Sequence, residues 1–208
     1  MAWMTNNKLR LGSLHLYTEQ CPEVITNLLV ECNTTDLQKI GLSKLAKGRK
    51  TSLHLAIAEQ CPNLQELFIP MARASIHSGN PIFSIKTLRF LHLQLNSGDS
   101  KIPLSAMEGL RDLRLSGGKG HDVSFESESL QTVHACDLDE RTWVRCRCPN
   151  LQSFSCAWYN GAVPSENLSY PEDYDETTLD GSGIITAGRC EFLGLAVPDS
   201  CRITIAHA

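Results

Sequence analysis

Cationic and aromatic residues recur at similar places in successive segments of this chain. Arg89, Arg111 and Arg114 carry guanidinium groups, whose forked N–H donors suit carboxylates and phosphates. Phe68 and Phe90 add apolar contact area of the kind found in binding hot spots. Together with two histidines they form the predicted partner-binding set, which is Phe68, Arg89, Phe90, His92, Arg111, Arg114 and His134.

Catalysis is a weaker interpretation of the same residues. His134, Asp112 and a cysteine can be drawn as a nucleophile system, but nucleophile and base must lie within hydrogen-bond reach and a third group must orient the base. Side chains from separate, unrelated repeats seldom meet that requirement. We therefore expect a protein that is not an enzyme.

Zinc binding is a second alternative, because four cysteines fall between residues 136 and 156. Tetrahedral thiolate sites usually pair two C-x(2–4)-C motifs. Here the close pair is Cys146-Arg-Cys148, with Cys136 and Cys156 standing apart. Packing is the favoured role for these thiols, and we expect no metal and no cofactor.

The elements that position these residues follow from one repeated template, L-x-x-L-x-L. Steps of 24, 22, 20 and 21 residues separate the first residues of five copies, which begin at Leu64, Leu88, Leu110, Leu130 and Leu151. A sixth copy, Ile25–Val30, begins 39 residues before Leu64. A period in the twenties indicates a strand and a return segment stacked on the next unit.

Alternation along each strand assigns the faces, because successive side chains point to opposite sides. We predict parallel strands centred near Leu28, Leu67, Leu91, Leu113, Val133 and Phe154, with these residues buried. The outward residues between them read Leu29, Phe68, His92, Arg114, His134 and Ser155. Since neighbouring strands lie about 4.8 Å apart, we expect Arg89, Arg111 and Arg114 to form one cationic patch.

A cysteine recurs before a proline in three places, Cys21-Pro22, Cys61-Pro62 and Cys148-Pro149. A thiol at one position of a repeat behaves as a small buried hydrophobe, so we expect reduced, packed cysteines rather than disulfides.

Residues 34–60 are the best candidates for helix, with Gly48 dividing two helices. Leu53, Ala56 and Ile57 have helical spacing. The lysines and arginine among them fit a solvated helix face, with a nuclear localisation signal as the alternative. Residues 161–189 read as an acidic loop, and two apolar runs follow, 191–197 and 202–205, as a last repeat or a terminal hairpin.

The repeat and its Cys-Pro-Asn-Leu-x-x-Leu junction resemble the leucine-rich repeat family, in the cysteine-containing subtype of F-box substrate receptors. The resemblance covers residues 11–160 and implies an α/β fold, a curved parallel sheet with short helices or loops on the convex side. We expect repeats over 1–160, whose first unit is incomplete, and an acidic loop with a terminal cap or last repeat over 161–208. Since the chain starts inside a repeat, we expect a fragment or a divergent copy.

Composition limits the function further. A net charge of −4 and a pI near 6.0 give no general attraction to nucleic acid. No apolar run approaches the ~18 residues of a membrane helix, and residues 1–8 read poorly as a signal peptide. We therefore expect a cytoplasmic protein, with a nuclear location as the alternative. The resemblance implies a protein partner bound on the concave face, and the arginines favour a partner with an acidic segment. The alternatives are the substrate-recognition part of an F-box-type ubiquitin ligase receptor and a divergent repeat protein without a ligand.

Overall fold

The computed structural model describes most of the chain between residues 11 and 158 and short segments after it. The described ranges are 11–16, 21–46, 50–72, 75–95, 100–117, 122–138, 143–158, 184–185, 195–196 and 200–207.

Thirteen strands in the described residues form two separate sheets. In chain order they are β1 (Ser13–Leu16), β2 (Lys39–Leu42), β3 (Glu66–Met71), β4 (Phe90–Leu95), β5 (Ser100–Ile102), β6 (Asp112–Gly117), β7 (Asp122–Glu126), β8 (Thr132–Leu138), β9 (Trp143–Arg147), β10 (Ser153–Trp158), β11 (Ile184–Ile185), β12 (Leu195–Ala196) and β13 (Arg202–His207). The main sheet has the order β1-β2-β3-β4-β6-β8-β10-β13-β11 and is parallel except for the β11–β13 pair.

A second layer contains the segments that return from one main-sheet strand to the next. It begins with helices α1 (Pro22–Glu31) and α2 (Lys50–Gln60), which pack together, and continues with 3-10 turns at Pro81–Ser84 and Leu104–Ala106. Toward the C-terminus it becomes a four-stranded parallel sheet in the order β12-β9-β7-β5. The protein is therefore a mixed α/β structure with a mostly parallel main sheet.

Alternating leucines on the main-sheet strands supply the core. Leu67, Leu91 and Leu113 have no exposed surface, and they occupy the same register position on three successive strands. Val133 and Phe154 continue the row on β8 and β10 and are equally buried. The prediction of strands centred on these five residues is confirmed.

A tight turn precedes β3 and β10 and explains the recurring Cys-Pro-Asn-Leu segment. The carbonyl of Cys61 accepts the Leu64 amide at 3.1 Å, and that of Cys148 accepts the Leu151 amide at 3.1 Å. Proline suits the second position of such a turn because its φ is fixed near the required value. The asparagine side chain extends to the turn before it: Asn150 Nδ2 donates to the Glu128 carbonyl at 2.8 Å.

The sixth template copy is not a strand, so the prediction of a strand at Leu28 is wrong. Residues 25–30 lie in α1, which has Pro22 in its first turn. Ile25 and Leu29 are four residues apart and buried, so they form one helical stripe against the core. The segment Ile-x-x-Leu-Leu-Val fits both periods, and the proline at the start favours helix.

The helix predicted for residues 34–60 is correct only in its second half. Residues 39–42 form β2, whose Ile40 and Leu42 are buried in the main sheet. Helix α2 confirms the 3.6-residue spacing, since Leu53, Ala56 and Ile57 are buried on one side of it. Gly48, the predicted break between two helices, lies outside the described residues.

The C-terminal runs join both sheets rather than pairing with each other. Strand β12 pairs with β9, whereas β13 lies parallel to β10 and continues the register of the main sheet. The hairpin alternative is therefore wrong. The acidic loop predicted for 161–189 lies outside the described residues, apart from the two residues of β11.

Leu91→Ala is the direct test of the core. We expect a loss of about 2–5 kcal/mol in the free energy of unfolding, the usual range for a fully buried leucine, measured by urea denaturation. The matched control is Leu55→Ala on α2, because Leu55 is 45% exposed. Equal, small losses in both variants would contradict the burial of the Leu91 row.

Candidate binding face

Outward side chains of the main sheet form one row across eight of its strands, which are β1, β2, β3, β4, β6, β8, β10 and β13. We call this the central row: His15, Gly41, Phe68, His92, Arg114, His134, Ser155 and Thr204 are register partners in that order. We call the face that carries the row the open face, because the side chains of the row are exposed or half-buried except at Gly41, while the residues before and after each row position from β2 to β10 are buried. Five outward positions predicted from alternation, from Phe68 to Ser155, lie in this row.

Aromatic stacking fixes the middle of the central row. The rings of Phe68 and His92 stack with centroids 4.3 Å apart and planes inclined by 16°. The same histidine makes a hydrogen bond through Nε2 to Ser116 Oγ, at 2.7 Å. Stacking of this kind contributes about 0.5–1.5 kcal/mol and holds both rings at fixed positions on the face.

Arg114 lies between His92 and His134 in the central row. Its side chain is exposed, and its Nε donates to the Cys136 Sγ at 3.4 Å. No carboxylate in the described part of the chain forms an ion pair with Arg114. Its outer guanidinium nitrogens are therefore placed to bind an anion from solution.

Arg89 and Arg111 occupy a different place from Arg114. They stand one residue before β4 and β6, and each donates from Nη1 to a carbonyl of the next turn, Arg89 to Gly109 and Arg111 to Ser129, both at 2.9 Å. The predicted single patch is thus divided. Arg114 lies on the central row, whereas the other two join neighbouring turns about 10 Å away along the strands.

Gly109 shows how closely these turns approach each other. A Cβ at this position would meet the Lys86 carbonyl oxygen at 2.5 Å and Arg89 Nη1 at 3.1 Å. Only glycine leaves room for the turn-to-turn contact that Arg89 completes.

The open face carries further charges beside the central row. Phe90, half-buried, and Asp112 are register partners there. Lys39 and Glu66 form an ion pair, with Nζ and Oε1 2.6 Å apart. Arg202 on β13 is exposed on the same face as the register partner of Ser153, so Arg114 and Arg202 both present a guanidinium without an ion-pair partner in the described residues.

His134 shares a hydrogen bond with a hydroxyl, since its Nδ1 lies 2.6 Å from Ser155 Oγ. Nucleophilic catalysis needs a third group that orients the imidazole. Ser155 is the only hydrogen-bond partner of His134 within the described ranges. This pair has donors and acceptors that a ligand could use, and the prediction that the protein is not an enzyme stays a prediction.

The recurring cysteines fall into two groups. Cys61 and Cys148 have no exposed surface and Cys156 is 1% exposed, so the packing role predicted for them is confirmed by their burial. Cys21 is exposed at the start of α1, and the prediction is wrong for this member. No three candidate ligand side chains come together in a way that could hold a metal ion among the described residues.

Burial changes how these thiols ionise. It raises the pKa of Cys61 to about 11, against a smaller opposing effect of the Thr34 hydroxyl. Burial likewise raises the pKa of Cys156 to about 12, helped by the nearby Cys136. The hydrogen bond from Cys146 lowers the pKa of Cys148, whereas the same contact and burial raise that of Cys146.

Sequence analysis missed three members of the central row. Gly41 and His15 lie on strands that carry no L-x-x-L-x-L copy, and Thr204 lies on β13. The apolar alternation of Ile40 and Leu42 was the available signal for β2, although two residues are too few to distinguish strand from helix.

No protein-family model matches the chain, and no curated protein or solved structure matches it significantly. No helix in the described ranges is long and apolar enough to cross a membrane.

The Cys61 thiol predicts a pH dependence of stability. Its folded pKa of about 11 exceeds the ordinary 9.0, so the neutral thiol stabilises the fold fully below pH 9 and this contribution is lost as pH rises toward 11. We expect the loss of unfolding free energy caused by Cys61→Ala to become smaller by about 2 kcal/mol between pH 8 and pH 10.5. Urea denaturation under reducing conditions measures this loss.

The matched control is Cys21→Ala, which removes an exposed thiol. A cost of Cys61→Ala that stays constant over this range would show that the buried thiol does not ionise on unfolding as described.

Proposed function

We propose that this chain is a protein-interaction module of the leucine-rich repeat type, which binds its partner on the concave face of a solenoid. The open face would be that concave face. The alternation of main-sheet strands with second-layer segments along the whole described chain supports the solenoid. The repeated Cys-Pro-Asn-Leu turns support the family.

The observation that carries this proposal is the composition of the central row. Phe68, His92, Arg114 and His134 are register partners on four consecutive strands, so an aromatic stack lies beside a guanidinium that forms no ion pair with the described residues. Aromatic residues and arginine are the types enriched in binding hot spots. Neither stack nor guanidinium contributes to the buried core on the other face.

An acidic segment is the partner chemistry that fits this row. Arg114 would receive a carboxylate, while His92, His134 and Ser155 would donate or accept neighbouring hydrogen bonds. Phe68 and Phe90 would supply apolar contact. Arg89 and Arg111 extend the positive potential along the strand entrances and would raise the association rate more than the affinity.

The cysteine-containing turns also support a narrower alternative. In this alternative the chain is the substrate-recognition part of an F-box-type ubiquitin ligase receptor, whose substrate occupies the same face. A divergent repeat without a ligand is the remaining alternative. In each case we propose a cytoplasmic protein that is not an enzyme.

Arg114→Gln tests the proposal. Partners captured from native extract by the wild-type chain are purified, and their affinity is measured at low and high salt. We expect Arg114→Gln to weaken binding about tenfold, the equivalent of one lost charge-assisted hydrogen bond, and to reduce the salt dependence.

Arg147→Gln is the matched control, because Arg147 is an exposed arginine on β9 of the other sheet. If both variants bind every purified partner as the wild type does, the open face is not the binding surface. Loss of binding in Arg147→Gln alone would move the site to the second layer.

A further inference from the structure

A cavity of about 170 Å³ lies on the open face above β2. The His15 imidazole lies over Gly41, since a Cβ there would meet His15 Nδ1 at 2.5 Å, so this ring takes the place of the missing side chain. The cavity is lined by His15, Phe68 and Phe90, which come from the strands on both sides and from the strand beyond. The cavity beside Gly41 therefore has aromatic walls, one of which is the His15 ring held over the glycine.

The size of the cavity suits one aromatic ring. An apolar cavity of roughly 150 Å³ in a protein core accommodates benzene, so this slightly larger and open cavity can take a substituted ring. The walls favour a ring over an aliphatic group, because they offer faces for stacking.

The rim of the cavity adds a polar requirement. Lys39 and Glu66 line it and neutralise each other in their 2.6 Å ion pair, so the rim favours a neutral group over a charged one. A hydroxyl or an indole N–H can hydrogen-bond to the half-exposed carboxylate of this pair. Tyrosine and tryptophan carry such a polar atom on an apolar ring, whereas phenylalanine does not.

The distance to Arg114 connects this cavity with the anion-binding position. Gly41 and Arg114 are separated by three strand steps in register, through Phe68 and His92. At about 4.8 Å a step, the separation is about 14 Å. An extended peptide advances at most about 3.3–3.6 Å per residue, so it covers this distance in about four residues.

We propose that the Gly41 cavity binds a tyrosine or tryptophan side chain of an extended partner segment that carries an acidic residue four positions away. The acidic residue lies on Arg114, and this assignment rests on the proposed function. The segment crosses the strands along the central row. The cavity makes the site specific for the aromatic residue. The distance from the cavity to Arg114 makes it specific for segments whose acidic residue lies four positions away.

The first measurement uses p-cresol and toluene as probes of the cavity alone. In amide NMR spectra of the labelled protein, p-cresol should shift the signals of residues 41 and 68 and bind more tightly than toluene. Gly41→Val places side-chain atoms where the His15 ring lies, so it displaces this wall of the cavity and should weaken p-cresol binding at least tenfold. Gly12→Val is the matched control, since a Cβ at Gly12 meets nothing within 4 Å.

His15→Ala keeps the test decisive if Gly41→Val does not fold. This variant removes one wall of the cavity at an exposed position of β1 and should weaken p-cresol binding several-fold. Circular dichroism and thermal unfolding verify that each variant is folded.

The second measurement uses capped serine–glycine peptides with one tyrosine and one glutamate at separations of two to eight positions, in both orders. The affinity should be highest at a separation of four. The gain over a peptide without glutamate should disappear in Arg114→Gln.

The outcomes separate the two proposals. Absence of p-cresol shifts near Gly41, or equal binding by Gly41→Val and the wild type, overturns the cavity while leaving the role of Arg114 to its own test. Binding of p-cresol at Gly41 without a preferred separation, or without dependence on Arg114, overturns the link between cavity and arginine. An optimum at four that requires both Gly41 and Arg114 supports the inference.

Discussion

Five backbone carbonyls fix how successive strands of the main sheet are aligned. The residue before a main-sheet strand accepts two successive amides of the next unit. The acceptors are Gln38, Gln65, Arg89, Arg111 and Gln131, with distances of 2.8–3.1 Å. Because both amides are held, the next strand can begin at one position only. A shift of one residue would turn every buried leucine outward, so this contact sets the register of both faces at once.

The two faces then have separate tasks. The inward leucines supply the hydrophobic stabilisation, which leaves the outward residues free to vary in chemistry. Arg89 and Arg111 reinforce the stacking through their bonds to the turns after them, and Gly109 makes that approach sterically possible. Arg114 lies two residues after Asp112 on β6, and it makes no such bond to a turn among the described residues. The difference between the structural arginines and Arg114, which we propose binds a partner, is therefore a difference of position along the strand.

The sequence is informative about the fold where a pattern is both local and repeated. Leu67, Leu91 and Leu113 were predictable because alternation requires only neighbouring residues. Residues 13–16 and 52–55 show the limit: both read Ser-Leu-His-Leu, yet the first forms β1 and the second lies in α2. Surrounding contacts decide such cases.

The candidate site was predictable along the central row from Phe68 to Ser155. The contacts made by the ends of the Arg89 and Arg111 side chains were not predictable from the sequence. These long side chains reach neighbouring turns, and strand alternation predicts only the face on which a side chain lies. The Gly41 cavity was hidden for another reason, since it lies over β2, whose residues were predicted to be helical.

Cross-strand NMR contacts test the register most directly. The account predicts amide–Hα NOEs that connect the strands around Phe68, His92, Arg114, His134 and Ser155 in the observed order, together with side-chain NOEs among Leu91, Leu113, Val133 and Phe154 on the other face. A register displaced by one residue, with Leu113 contacting His92 or His134, would contradict the stacking and, with it, the open face.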